Sequence, residues 1–338
     1  MQRAFLPFLA ALAGVSLIAG HLMAWWFGMP QPSLVPPFFI LSLGAIGFGG
    51  AIGLVCYVIW LALWEREADP IPRVLATVRS HTSAQFLANR IAPVVFAFLF
   101  LSVFNTFKVF IPHINPFFLD GFLSDLDRWV FGTDPWRLTH AVIGPGGTQI
   151  LDLLYGLWFP AWFFAVLHFS LFASKDLQRR FFLTFVASWA LLGIGLAIAA
   201  SSAGPCFLGL IHHPYAERYA ALFPVENAPG ATAAQAYLAN AYLTGDLGLA
   251  KGISAMPSMH VAIVALLVVS VRSYGRLMFS AALFFYMVIF IASVHLGWHY
   301  VSDGVVATLA VVLLWRLTRS VGRAPESVLI GEARLQQT

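Results

Sequence analysis

Charge is scarce in this chain. Lysine and arginine supply 19 of 338 residues and aspartate and glutamate 15, so 10% are charged, against about 25% in an ordinary soluble domain. So few charges cannot cover a water-facing surface, which excludes a soluble enzyme. Cysteine is nearly absent as well. Cys56 and Cys206 belong to separate apolar runs, a placement that disfavours a disulfide, and neither has the spacing of a zinc site. A secreted disulfide scaffold is therefore excluded. No phosphate-loop or dinucleotide-binding glycine pattern occurs, and no internal repeat is visible. The net charge of +4 is too small to imply nucleic acid.

Hydrophobicity is what the chain has. Sixty per cent of residues are hydrophobic, with 31 Phe and 11 Trp, a composition that also excludes disorder. The expectation is an all-α polytopic membrane bundle. A span needs about 20 apolar residues. Eight stretches approach this, at about 5–27, 38–64, 91–111, 149–172, 181–203, 258–271, 277–297 and 300–318. The first ends in Trp25, Trp26 and Phe27, an interfacial aromatic cluster, and reads as a retained span rather than a signal peptide. The sixth is short, so its outer end is expected below the membrane surface.

Orientation follows from the positive residues. The short hairpins carrying Lys175, Arg179 and Arg180, and Arg272 and Arg276, fall on one side with the C-terminal arginines. That side is expected to be cytoplasmic, with both termini. Two long segments then lie outside. Residues 112–148 place Leu119, Phe122, Leu123, Leu126 and Val130 at helical spacing between Asp120, Ser124, Asp125, Asp127 and Arg128. This predicts an amphipathic helix on the outer leaflet. Residues 205–256 contain an Ala-rich helical stretch from Thr232 to Leu243, ended near Gly245. The organisation read from this is a three-span N-terminal part (1–111), the amphipathic segment (112–148), a membrane core (149–319) and a cytoplasmic tail (320–338).

Ionisable groups in or beside spans mark function by default. His299 and Asp303 are four apart on one helix face. A carboxylate on one imidazole nitrogen fixes the tautomer and frees the other nitrogen as base or nucleophile. Pro257, Ser258 and His260 stand where a short span begins. Pro257 suits the first helical position, and the free amides of a first turn attract anions. Together the two groups point to phosphoryl transfer. His299 is the expected nucleophile, Asp303 stabilises its imidazolium, His260 protonates the leaving oxygen, and Ser258 holds equatorial oxygens. The scheme calls for no metal and no cofactor.

Pro257-Ser-Met-His260 and His299-Tyr-Val-Ser-Asp303 resemble the second and third motifs of the type 2 phosphatidic acid phosphatase superfamily. The resemblance covers about residues 149–318. It implies the same roles: His299 nucleophile, Asp303 its partner, His260 general acid. Departures stand beside it. Met259 replaces a glycine, the Ser-Arg pair of the third motif falls on Ala292-Ser293, and Ser202 to Cys206 carries no basic residue where the first motif should lie. These departures resemble the inositol phosphorylceramide synthase branch, which implies transfer of a phospho-headgroup to a lipid hydroxyl. Another cation must then neutralise the phosphate. Lys251 and Lys108 are the leading candidates, ahead of Arg128, Arg137 and Arg218, and each could instead snorkel to lipid headgroups.

Other readings stay open at this stage. His295, His299 and Asp303 share a face and could ligate zinc, or His295 could serve as a supporting or packing group. A proton-coupled lipid transporter or flippase is the alternative to an enzyme. Asp152 and Tyr155 share a face and could meet a headgroup or solvate a helix end. The runs around Trp158 and Trp162 read as lipid-facing or packed surface. The expected partner is a membrane lipid phosphate, handled on the outer face of the inner membrane.

Overall fold

The computed structural model describes residues 14–15, 18–29, 37–66, 69–246 and 250–319. The first expected span is described only at residues 14–15 and 18–27, and the C-terminal tail (320–338) lies outside the described residues. Among the described residues all regular elements are helical. Eleven carry the argument: α1 (Pro37–Leu63), α2 (Ile71–His81), α3 (Ala84–Ile114), α4 (Asp120–Phe131), α5 (Pro135–Val142), α6 (Pro145–Leu171), α7 (Lys175–Ala199), α8 (Pro229–Thr244), α9 (Met259–Ser270), α10 (Arg276–His295) and α11 (Val301–Leu317).

Four of these, α3, α6, α7 and α10, are long and apolar enough to cross a membrane. That supports membrane integration and falls short of the eight spans expected. Of the other four, 5–27 and 38–64 are only partly described. Two are short: α9 has 12 residues and α11 has 17, about 18 and 26 Å at the rise of a helix. Apolarity alone does not make either one span-length.

The short α9 is the hub. Val261, Ala262, Ile263, Val264, Ala265 and Leu266 are all buried, and the helix packs against α6, α7, α10 and α11. A helix apolar on every side must be surrounded, and neighbours rather than lipid surround this one. The three-span N-terminal part is represented by α1 and α3. α3 packs against α1 on one side and α6 and α7 on another, so residues 84–114 form a wall of the core.

The two long segments expected outside both contain helices. α8 runs to Thr244 and ends at Gly245, whose φ of +67° suits glycine. α4 is amphipathic, with an unexpected disposition. Its polar residues Asp120, Ser124 and Asp127 are buried with Leu123, while Phe122, Trp129, Val130 and Phe131 are exposed. The carboxylates face protein. The aromatics are left for the bilayer.

Candidate active site

The end of the bundle where α3, α7 and α10 finish and α9 and α11 begin encloses a cavity of about 430 Å³. His260, His299 and Lys108 line it, and so do Asn105, Tyr155 and the tryptophans 158, 162, 189 and 298. The wall is largely aromatic, with a few polar groups collected at one place.

His299 lies in the turn joining α10 to α11. After α10 ends, the amides of Trp298 and His299 both donate to the Ser293 carbonyl, at 3.0 and 3.1 Å. This closes the turn and aims the ring inward. Asp303 sits one helical turn on. Its Oδ2 lies 3.3 Å from His299 Nδ1 and accepts the Tyr300 amide at 3.0 Å. The second bond belongs to the capping box of α11. Asp303 is therefore held by the helix start before it holds His299. With Nδ1 turned to the carboxylate, Nε2 is the free ring nitrogen.

His260 stands opposite, in the first turn of α9, its ring centre 6.4 Å from that of His299. Tyr155 stacks on it at 4.7 Å and Trp158 lies at 4.1 Å. The Trp158 indole also donates to the His260 carbonyl at 3.0 Å. A backbone bond joins the two histidine segments directly, because the Ser258 amide donates to the Asp303 carbonyl at 3.3 Å. Both rings are thus fixed from α6 and from each other's helix starts.

Ser258 is fully buried, is the N-cap of α9, and accepts the Val261 amide at 3.4 Å. Pro257 precedes that cap, so it is outside the helix and not its first residue. Ser258 therefore supports His260 from below the cavity wall and does not line it.

Of the two leading cations, Lys108 on α3 lines the cavity, and Lys251 does not. Lys251 pairs with Asp246 and lies over the Tyr237 ring. Gly252, at φ +96°, allows the chain after Lys251 to pass the Lys108 backbone, where a Cβ would come within 2.9 Å. Lys108 has no carboxylate partner among the described residues. Arg218 and Arg137 are bound to Asp134, away from the histidines.

His295 is also apart from the pair. It is fully buried, Nε2 is 2.9 Å from Thr148 Oγ1, Nδ1 is 3.0 Å from Thr139 Oγ1, and its ring packs on His140. Each ring nitrogen already has a hydroxyl partner, so His295 ties α10 to α5 and α6. Asp152 caps α8, accepting the amides of Gly230 and Ala231 at 2.8 and 2.7 Å. The tryptophan runs expected at a lipid-facing or packed surface instead furnish the cavity with Trp158 and Trp162.

Sequence reasoning missed the two buried carboxylates of α4. Asp120 accepts the amides of Ala203 and Gly204 at 2.8 and 2.9 Å and the Tyr300 hydroxyl at 3.1 Å. Asp127 accepts the amides of Val301 and Ser302 at 2.6 and 3.2 Å, at the start of α11. These bonds fasten the segment that follows His299, residues 300–302, to α4 and to residues 203–204. Burial pushes the Asp127 carboxyl up to about 6 and raises Asp120 as well, against the pull of those amides. The sequence signal was present: aspartates at i and i+7 share a helix face.

Fold and site together define an all-helical membrane protein with a paired-histidine cavity at one end. The chain belongs to the PAP2 superfamily, whose sequence model matches residues 122–317, more than half of its length. Membership points to a phosphatase-type function. The match begins within α4, upstream of residue 149, where the motif resemblance began. No curated protein and no solved structure matches the chain.

Proposed function

We propose that the protein is a membrane lipid phosphatase or phosphotransferase working through a phosphohistidine. One observation carries the reading: two histidines face each other across a mostly apolar cavity, and a buried carboxylate stands behind one of them. Free Nε2 of His299 attacks phosphorus. The P–N bond forms as the P–O bond to the leaving group breaks, and His260 gives that oxygen its proton. Asp303 stabilises the imidazolium character that develops on His299. In the second half, water or a lipid hydroxyl gives its proton to His260, its oxygen attacks phosphorus, and the P–N bond breaks.

Lys108 is the cation we assign to the phosphate oxygens, in place of the basic residues missing near Ala292 and Ser202. That assignment makes α3 part of the enzyme. The division into an N-terminal part, an amphipathic segment and a core is then one of origin rather than of function. The apolar wall suits an acyl chain, which favours a lipid substrate over a soluble phosphate ester. The motif departures favour a headgroup transferase of the inositol phosphorylceramide synthase kind, with the site on the outer membrane face.

The test incubates wild type and His299→Ala in chelator with a bacterial lipid extract, phosphatidylinositol and ceramide, and reads products by mass spectrometry. Free phosphate with a dephosphorylated lipid identifies a phosphatase, and a headgroup moved to a second lipid identifies a transferase. Identical product profiles for the two proteins would sink the proposal.

A further inference from the structure

The opposite end of the bundle holds a second and larger cavity, about 960 Å³, between the start of α3, the end of α2 and the start of α7. It is remote from the histidines. Arg90 and Lys108 are 18 residues apart on α3, about 27 Å along a helix. Nothing in the chemistry above uses it.

Its lining is divided. Arg90, Lys175 and Arg179 supply positive charge, and Ser80, Ser83 and Gln178 supply hydrogen-bonding groups. Phe86, Phe96, Phe182 and Leu183 form an apolar wall next to them. The cations are incompletely used. Arg90 spends Nη1 on the carbonyls of Ser170 and Ala173, at 3.0 and 2.9 Å, and its other nitrogens make no hydrogen bond among the described residues. Arg179 Nη2 meets Asp176 at 3.3 Å, while its buried Nε has no partner. The Lys175 ammonium has none among the described residues. Asp176, the carboxylate on this turn, is 78% exposed and turned to solvent.

The rim adds an independent observation. α2 has no buried residue. It exposes Ile71, Leu75 and Val78 along with Arg73 and Arg79, the composition of a helix that lies in an anionic bilayer surface. Its last turn, at Ser80, forms part of the cavity wall.

We infer that this cavity binds an anionic phospholipid, its phosphate among Arg90, Lys175 and Arg179 and an acyl chain on the Phe86, Phe96 and Phe182 wall. The lipid bridges α3 to α7, the two helices that carry Lys108 and Trp189 of the histidine cavity. It is a site distinct from catalysis.

The test uses full-length protein in nanodiscs of phosphatidylcholine and phosphatidylglycerol, with retained lipid read by native mass spectrometry. Taking roughly fivefold for each cation that contacts the bound phosphate, Lys175→Gln/Arg179→Gln should lower phosphatidylglycerol retention about 25-fold relative to phosphatidylcholine. Lys175→Arg/Arg179→Lys should retain it, which separates charge loss from misfolding. Arg272→Gln/Arg276→Gln removes two cations from the α9–α10 hairpin and should change retention less than about threefold. Equal retention by wild type and the double glutamine variant would overturn the site. So would an equal loss in the hairpin variant. Displacement of the lipid by millimolar inorganic phosphate would identify a free-anion site instead and overturn the lipid assignment.

Discussion

His260 and His299 are both imidazoles on the cavity wall, and leaving-group chemistry tells them apart. Consider His260→Gln, which keeps a planar polar group in the slot between Tyr155 and Trp158. The Trp158 bond is made to the His260 backbone carbonyl and survives the change. What is lost is the proton for the departing oxygen. General acid catalysis contributes about 100- to 10,000-fold, or about 3–5 kcal/mol of barrier. The assay compares a dialkyl phosphodiester with a long-chain alkyl p-nitrophenyl phosphodiester, with wild type and variant in the same detergent. The alkoxide needs the proton and nitrophenolate does not. Read as single-turnover release of the leaving group, which isolates the first half-reaction from the second, where His260 serves as base, the variant should lose the full factor on the first substrate and less than about tenfold on the second. His299→Gln should lose both alike, because the nucleophile is required whatever leaves. Equal losses on both substrates for His260→Gln would refute the assignment of its role and leave only its packing.

Four further outcomes are expected. Asp303→Asn should reduce kcat by about 100-fold or more through loss of imidazolium stabilisation and the wrong tautomer, seen as reduced phosphoenzyme formation in a rapid quench. Lys108→Met should lower kcat/KM by about 100-fold or more while raising thermal stability by about 1 kcal/mol, since an ammonium without a counter-ion leaves the protein interior; unchanged activity would remove Lys108 from the site. Gly204 has φ +95°, and an added Cβ would lie 2.7 Å from the Trp298 carbonyl oxygen. Gly204→Ala should therefore destabilise by about 1–3 kcal/mol in thermal unfolding and disturb the His299 turn. Asp127, with its carboxyl raised to about 6, binds more protons folded than unfolded between about pH 4 and 6. Its contribution to stability is present at the low end of that window and is lost as pH rises through 6, by at most about 3 kcal/mol. Asp127→Asn should flatten this part of the stability-versus-pH curve.

The meeting of His260, His299 and Asp303 was legible because its logic is local. His299 and Asp303 are one helical turn apart, and His260 follows Ser258, the N-cap of α9. The cation was not legible, since five basic residues fell on the expected outer side and only packing selects among them. Lys251, nearer in sequence to Pro257, is turned away by Asp246, whereas Lys108 arrives from a helix about 150 residues earlier in the chain. Periodicity likewise found the amphipathic character of α4 and could not say what each face meets. In water an apolar face turns to protein. Beside a bilayer it can turn to lipid, and Asp120 and Asp127 then become the face that packs. Span length failed for α9 for a related reason: its apolar residues answer to neighbouring helices, not to the width of a membrane.

The α4 clasp also has an order in time. α4 leaves the ribosome early, carrying two carboxylates that find their amide partners only at residues 203–204 and 301–302. Throughout most of synthesis Asp120 and Asp127 have no amides to receive them, and burial before then would cost more than it returns. Asp120 can be met once residues 203–204 are made, but Asp127 waits for the start of α11, and closing on that segment also draws in the His299 turn. The His299 turn is thus assembled as nearly the last act of biogenesis. A chain interrupted before α11 has most of the bundle and lacks Asp303, the carboxylate behind His299.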